Sequence, residues 1–314
     1  MANRYITKAE DLITSHEQTR AGFIDAALEK NKKAKPYVEA AITLKVLASK
    51  ASNPRELLNL LEIRQSLLTA SGLSDKALQY FTDEDKTIAI EKLIDNFLLP
   101  AGENFVDELV YRFLLIKGDA LGGEMRNYVG TVAKMKLTRK ILSVLVNMNI
   151  PYEILYKKKS KWNANSYEYD YDNADEIKAI TWCIDGQSKL LFFDAKIPLV
   201  DKNVDICLYK GDKNDYKRGK IVKENSKAIM FGELKGGIDP AGADEHWKTG
   251  NTALTRIRSA FKDYHIKTAF VGAAIVKNMA CEIWEQLCNG TLSNAANITC
   301  DEQFVDFSQW VVKL

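Results

Sequence analysis

The stretch AIMFGELKGGIDP, residues 228–240, decides how the second half of this sequence is interpreted. Its apolar start is typical of a buried β-strand, and the two glycines and the proline predict that the strand ends there. Side chains two residues apart lie on the same face of a strand, about 6 to 7 Å from each other. Glu233 and Lys235 are therefore predicted to lie side by side at a strand end, as an ion pair or as part of a catalytic edge.

A second carboxylate lies in the preceding apolar run, KNVDICLY. Strand alternation predicts that Val204, Ile206 and Leu208 share one face. Asp205 and Cys207 are predicted to share the other. If the two strands are neighbours, both carboxylates reach the same end of the sheet and offer the hard oxygen ligands that suit Mg²⁺. A lysine beside them can orient water and offset charge on a phosphate.

The rest of the second half has the pattern of an α/β protein. KAITWCIDG, KLLFFDAKIP and KTAFVGAAIV are further β-rich runs, whereas ADEHWKTGNTALTRIRSAFKDYH and MACEIWEQLCNG have helical periodicity, with Gly290 ending the latter. The charged segment DKNDYKRGKIVKENSK (212–227) is predicted to be an exposed hairpin. We therefore predict a mixed sheet flanked by helices, and we place this domain at residues 118–314.

The first third of the chain has a helical pattern. Apolar residues recur every three or four positions from Lys8 to Lys117. Asn53–Pro54 and Ser74–Asp75 predict helix starts, and GDALGGEM predicts a turn at two glycines that opens a long helix. These patterns predict a helical subdomain over residues 1–117.

Composition narrows the class of protein. The 314 residues include 46% hydrophobic and 27% charged residues, which excludes wholesale disorder. The five scattered cysteines form no CxxC pair, which disfavours a zinc knuckle and a disulfide framework. No apolar stretch has the length of a membrane span or of a secretory signal, so we expect a cytoplasmic protein without membrane contacts. The net charge of +2 neither indicates nor excludes nucleic-acid binding.

Beyond the Asp…Glu-x-Lys spacing, the run FGELKGGIDPAGADEHWKTGNTAL (231–254) resembles the AvaI/BsoBI family of type II restriction endonucleases. Residues 118–134 are similar to a glycine-rich lead-in to the first catalytic helix of several restriction enzymes. The resemblance implies a PD-(D/E)xK nuclease core and Mg²⁺-dependent cleavage of double-stranded DNA at a short palindrome, usually CYCGRG in this family. It also implies a homodimer that encloses the duplex between catalytic and helical domains, and a cognate DNA methyltransferase in the same cell.

The resemblance also implies roles for individual residues. Asp205 and Glu233 would bind the metal, Lys235 would orient water and stabilise the transition state, and His246 would act as the general base. Histidine exchanges a proton readily near neutral pH, although a lone histidine at a helix start is more often structural or solvated. Glu124 is a candidate third metal ligand, or else a first-turn glutamate favoured by the helix dipole.

Candidate DNA contacts rest on charge and on the family's architecture. Asp239 could accept a hydrogen bond from cytosine, and Lys76 could donate one to guanine. Three basic residues are candidate phosphate contacts, although charged residues are more often simply solvated: Arg126, Lys136 and Lys140.

Three alternatives stay open from the sequence. Asp205, Glu233 and Lys235 could form a structural ion network without catalytic work. The chain could be another nuclease of the same fold, such as a repair nickase, or a DNA-binding protein that does not cleave.

Overall fold

The computed structural model describes residues 3–216 and 219–314, and the side chains of Asp75 and Arg126 are outside the described set. The chain forms two compact units. One comprises the N-terminal residues up to Ile24 together with Tyr128–Leu314, and the other comprises Asp25–Asn127. The boundary predicted between residues 117 and 118 lies inside a single long helix, Phe105–Asn147.

Helices dominate the first half of the chain, and others alternate with strands in the second half. No helix among the described residues is long and apolar enough to cross a membrane. In chain order the α-helices are α1 His16–Ala48, α2 Arg64–Ala70, α3 Asp75–Leu78, α4 Asp83–Leu93, α5 Phe105–Asn147, α6 Tyr167–Asp172, α7 Ala243–Ala260, α8 Lys277–Cys288 and α9 Asp301–Lys313. The shorter helical turns are Ala9–Leu12, Pro54–Asn59, Leu61–Ile63, Ile94–Leu98, Gly102–Asn104, Ala174–Glu176, Ile221–Lys223, Asn225–Lys227 and Pro240–Gly242.

The unit Asp25–Asn127 is helical, as its sequence pattern predicts. Asn53 and Ser74 cap the turns that follow them, because their side chains accept hydrogen bonds from backbone N–H groups that have no partner within the helix. The predicted turn at Gly122–Gly123 is wrong, since α5 runs through both glycines without a break. Glu124 is consequently in the middle of a helix, and the first-turn interpretation of this residue is wrong as well.

The other unit is built on an eight-stranded mixed sheet in the order β2-β1-β3-β4-β5-β6-β7-β8. The strands from β2 to β6 pair antiparallel, and β6, β7 and β8 pair parallel. Their bounds are β1 Tyr152–Tyr156, β2 Asn163–Ala164, β3 Ile177–Ile184, β4 Gln187–Ile197, β5 Lys202–Lys210, β6 Ala228–Lys235, β7 Lys267–Gly272 and β8 Asn294–Asn297.

The predicted α/β class and mixed sheet are confirmed, but several details differ from expectation. Strands β1, β2 and β8 and the helix α9 were not predicted. In the described part of residues 212–227 the chain forms turns and short helical turns rather than a hairpin. Lys217 and Arg218, which belong to that predicted hairpin, lie outside the described residues.

Each face of the sheet buries its own apolar cluster. The first, here called the α7 cluster, includes Phe192, Cys207 and Phe231 of the sheet with Trp247 of α7 and Ile283 of α8. The second, the α5 cluster, is on the opposite face. It includes Ile206, Leu208 and Met230 of the sheet, Leu137 and Ile141 of α5, and Phe307 and Val311 of α9. The central strands are therefore covered on both sides, which explains their continuous apolar runs.

Candidate active site

Asp205, Glu233 and Lys235 meet at the edge where β6 ends. The Nζ atom of Lys235 is 2.7 Å from Oε2 of Glu233 and 3.3 Å from Oδ2 of Asp205. The β5–β6 ladder has its last pair at Ile206↔Gly232, so Asp205 lies just beyond it. The same Oδ2 atom accepts a hydrogen bond from the backbone N–H of Leu234 at 2.9 Å. A carboxylate thus continues the hydrogen bonding where strand pairing stops.

The two carboxylates do not share the same environment. Glu233 is only 3% exposed, and burial raises the pKa of its carboxyl to about 7, with a further contribution from the charge of Asp205 that the nearby Lys235 only partly offsets. Burial would lower the pKa of Lys235, but the charges of Glu233 and Asp205 outweigh it, so the pKa of this ammonium is raised. The arrangement therefore keeps Lys235 cationic beside a carboxyl group that is poised to lose its proton near neutral pH.

His246 lies on the first turn of α7, above the loop that follows Lys235. A Cβ atom placed on Gly237 would be 3.2 Å from Nε2 of His246, and one placed on Gly242 would be 3.4 Å from it. The ring thus fills the space that two glycines leave. One turn further along α7, a Cβ atom on Gly250 would be 3.6 Å from Cε of Lys235. This face of α7 therefore runs along both the loop and the lysine side chain.

His246 is exposed, and the hydrogen bonds described for Asp205, Glu233 and Lys235 do not include it. The structure brings the three residues of the strand ends into direct contact and places His246 beside the adjoining loop. Catalytic contacts often tighten only when substrate binds, so the role of His246 as the base stays a prediction.

The loop 236–239 is held from two sides by close contacts that only glycine permits. A Cβ atom on Gly236 would be 2.6 Å from the carbonyl oxygen of Val129 and 2.6 Å from Cβ of Ala133, both on α5. On α1, a Cβ atom on Gly22 would overlap the side chain of Ile238. Backbone cannot yield as a flexible side chain does, so these contacts fix the segment that joins Lys235 to Asp239.

The donor set at the strand ends suits a hard divalent cation. Asp205 and Glu233 both contact one ammonium group, so their oxygens lie close together, and carboxylate oxygens are the ligands that Mg²⁺ prefers. No group of three or more His, Cys, Asp or Glu side chains is arranged to hold a metal within residues 3–216 and 219–314. The two carboxylates would leave most of an octahedral shell to water and substrate oxygens, which is the usual way that Mg²⁺ is held.

Glu124, the third predicted metal ligand, lies in the unit Asp25–Asn127. Its carboxylate is exposed and its Oε1 atom accepts a hydrogen bond from the hydroxyl of Tyr37 at 3.2 Å. Its role at a metal stays a prediction.

The predicted DNA contacts lie on several elements. Lys76 is exposed on the short helix α3, and Lys136 is exposed on α5. The side chain of Arg126 lies outside the described residues. Both lysines present their charge to solvent, as a phosphate or base contact requires.

Two other candidates already have partners in the chain. Lys140 donates from Nζ to Oδ1 of Asp301 at 2.9 Å, so part of its charge is offset. Asp239 is exposed and accepts a hydrogen bond from the backbone N–H of Ala241 at 2.9 Å, which caps the turn Pro240–Gly242. The cap fixes the carboxylate at the tip of the loop that begins at Lys235.

Sequence reasoning missed one pair of residues near the site. Lys134 of α5 donates from Nζ to Oδ2 of Asp194 on β4, the strand next to Asp205. The available signal was an aspartate that interrupts the apolar run KLLFFDAKIP.

Comparison with known proteins identifies the family. The model of the restriction endonuclease BsobI family matches residues 2–314. The chain belongs to this family. It is 49% identical over 314 residues to the type II restriction enzyme BsoBI of Geobacillus stearothermophilus, which covers 99% of this chain and 97% of that protein. It is 47% identical over 312 residues to the type II restriction enzyme AvaI of a Nostoc species, with 99% and 98% covered. AvaI of Anabaena variabilis gives the same identity.

Membership of the BsoBI family confirms two predictions from the sequence, the resemblance to AvaI/BsoBI and the assignment as a restriction endonuclease. Near-complete coverage of both chains means that the helical unit and the sheet unit both belong to the similarity. A site for DNA cleavage must therefore be sought within this chain, and the strand ends of β5 and β6 bring two carboxylates and a lysine into contact, with Glu233 buried.

Proposed function

We propose that this protein is a type II restriction endonuclease that hydrolyses phosphodiester bonds of double-stranded DNA at a short palindrome in the presence of Mg²⁺. The family suggests CYCGRG as the site. The observation that carries the proposal is the contact of Lys235 with the buried Glu233 and with Asp205, at the strand ends of a BsoBI-family chain. A buried carboxyl with a pKa raised to about 7 beside a specific charge partner is typical of a functional site.

The residues divide the chemistry between them. Asp205 and Glu233 would hold the divalent ion, which when bound supplies charge neutralisation on the phosphate and acidifies a water molecule. Lys235 donates to both carboxylates, fixes their orientation, and offers its ammonium to the charge that develops on the phosphate. His246 accepts the proton of the attacking water at Nε2. The new P–O bond forms to that water as the bond to the leaving deoxyribose oxygen breaks, and that oxygen takes a proton from solvent.

The partners follow from the geometry of the substrate. A palindrome is two-fold symmetric, so it is read most simply by a two-fold symmetric homodimer. Asp239 and Lys76 would contact base edges, and Arg126, Lys136 and Lys140 would contact phosphates. Glu124 stays a candidate metal ligand, and the family's architecture suggests a DNA-facing role for the helical unit. A DNA methyltransferase of the same specificity would protect the host.

One digestion tests the proposal. A supercoiled plasmid of known sequence is incubated with the protein and Mg²⁺, and the ends of the products are mapped, with Asp205→Ala as the control for contaminating nucleases. Discrete fragments that end at one palindrome support the proposal. Nicked circles without linear product would favour a nickase, and specific binding without any cleavage would favour a non-cleaving DNA-binding protein.

A further inference from the structure

The strand β4 reverses its two faces at Asp194. Phe193 packs with the α5 cluster, and Ala195, two residues further on, packs with the α7 cluster on the opposite face. Regular alternation would put both on the same face. Asp194 itself has φ +52°, the left-handed conformation that side chains other than glycine, asparagine and aspartate rarely adopt. The reversal therefore occurs at one residue whose backbone is in the left-handed conformation.

The neighbouring strand β5 reverses its faces at Asp205. Ile206 belongs to the α5 cluster and Val204, two residues earlier, belongs to the α7 cluster. The prediction that Val204 shares a face with Ile206 and Leu208 is therefore wrong. Cys207 and Val204 both lie on the α7 side, so regular alternation holds from Ile206 onward and fails only at Asp205.

The two reversals lie opposite each other. The β4–β5 ladder pairs Phe193 with Ile206 and Ala195 with Val204. Asp194 is therefore opposite Asp205. These two residues are not paired in the ladder, although the strands keep the same register before and after them. A matched distortion keeps the hairpin paired while turning both aspartates out of the regular pleat.

The helix α5 anchors this distortion. Nζ of Lys134 donates to Oδ2 of Asp194, and the lysine side chain is only 17% exposed. The preceding residue, Ala133, packs so closely against Gly236 that only glycine fits at this position. Gly236 directly follows Lys235. Consecutive residues of one helix therefore hold the strand opposite Asp205 and the loop after Lys235.

We propose that Asp194 is a positioning residue for Asp205, acting through its left-handed backbone and its anchor to Lys134. The left-handed backbone of Asp194 causes the reversal of faces in both strands. Asp205 therefore lies outside the regular pleat, and its carboxylate can contact Leu234 and Lys235. The proposal rests on the proposed role of Asp205 in metal binding. It assigns Asp194 a role that acts through Asp205.

The experiment compares variants that separate backbone from charge. Asp194→Ala places a residue that disfavours the left-handed conformation at this position and removes the hydrogen bond to Lys134. Asp194→Asn keeps a residue that tolerates this conformation and keeps an oxygen that accepts a hydrogen bond from Lys134. Asp201→Ala is the matched control, because Asp201 has φ +54° and an ion pair with Lys196 at 2.9 Å in the same hairpin. Binding of Mn²⁺ is read directly by the loss of the free-ion electron paramagnetic resonance signal, alongside kcat and KM for plasmid cleavage.

We expect Asp194→Ala to weaken Mn²⁺ binding and lower kcat by on the order of 10-fold with little change in KM, a loss of about 1.4 kcal/mol. Asp194→Asn and Asp201→Ala should both stay within about two-fold of the unaltered protein. Equal losses in the Ala and Asn variants would overturn the proposal, because they would assign the effect to charge. Wild-type behaviour of Asp194→Ala would overturn it too.

Two further variants keep the outcome decisive. Asp205→Ala tests the underlying function, since unchanged Mn²⁺ binding by this variant refutes the proposed metal site itself rather than the role of Asp194. Lys134→Met keeps the backbone of Asp194 and removes only its anchor, which covers the case in which Asp194→Ala does not fold. We expect a loss of Mn²⁺ affinity of several-fold for Lys134→Met, and unchanged affinity would contradict the proposal.

Discussion

The Nζ atom of Lys235 lies 2.7 Å from Oε2 of Glu233, two residues earlier on the same strand. A pair within one strand joins no separate elements, so it adds little to the tertiary fold. The structural link between strands is made by Asp205, which accepts from Leu234 and Lys235 of β6. Burying the carboxyl group of Glu233 therefore costs free energy, and the pairing of the strands does not depend on this group. This asymmetry favours a catalytic edge over a purely structural ion network.

Cleavage should depend on a hard divalent cation. Because Asp205 and Glu233 offer carboxylate oxygens, and the described residues hold no cluster of three or more His, Cys, Asp or Glu for a softer metal, Mg²⁺ or Mn²⁺ should support cleavage of plasmid DNA. Ca²⁺ should support specific binding with little turnover. Gel electrophoresis and a mobility-shift assay measure the two effects. Full activity in excess EDTA would contradict the assignment of these carboxylates to a metal.

Lys235→Ala should separate DNA binding from chemistry. Its ammonium acts on charge that develops in the transition state, so single-turnover cleavage should fall by on the order of 10² to 10³-fold while specific DNA binding in Ca²⁺ changes little. Lys248→Ala is the control, since Lys248 is an exposed lysine of α7 that pairs with Asp244. A variant that no longer folds, judged by circular dichroism, would instead support a structural ion network.

Glu233→Gln should change the pH dependence of stability. In the folded protein the pKa of the Glu233 carboxyl is about 7, against a usual value of 4.5. The preference of the folded state for the protonated carboxyl therefore stabilises the protein fully below pH 4.5, and this contribution is lost as the pH rises through about 7. Glutamine does not ionise. Between pH 5 and pH 8 the free energy of unfolding of the variant should therefore gain about 1 to 3 kcal/mol relative to the unaltered protein.

Urea unfolding of the metal-free protein at several pH values measures this effect. Glu245→Gln, at an exposed position of α7, serves as the control and should follow the unaltered protein. Parallel pH curves for Glu233→Gln and the unaltered protein would show that Glu233 ionises as an ordinary surface carboxylate does.

His246→Ala should lower the cleavage rate by on the order of 10² to 10⁴-fold with a much smaller loss of specific binding, because the general base acts only during proton transfer. His265→Ala, at an exposed position after α7, provides the comparison and should cleave normally. Near-normal cleavage by His246→Ala would leave the histidine a structural role beside Gly237 and Gly242. An equal loss in binding would make it a DNA contact.

Local sequence was sufficient for the strand that carries the site. A two-residue period places Glu233 and Lys235 side by side, and the glycines after them end the strand, so both features were predictable and both are present. The helix starts at Asn53 and Ser74 were predictable for the same reason, since a cap depends on residues within one turn.

Tertiary structure decided the features that give this edge its chemistry. Which residue lies opposite Asp205 depends on the register of β4, and the reversal of faces at Asp194 overrides the alternation that the sequence predicts. The raised pKa of Glu233 depends on burial by residues distant in sequence, and the continuity of α5 through Gly122 and Gly123 overrides a local turn signal. Periodicity and capping act over a few residues, whereas register, burial and close helix approach are set by contacts between distant segments.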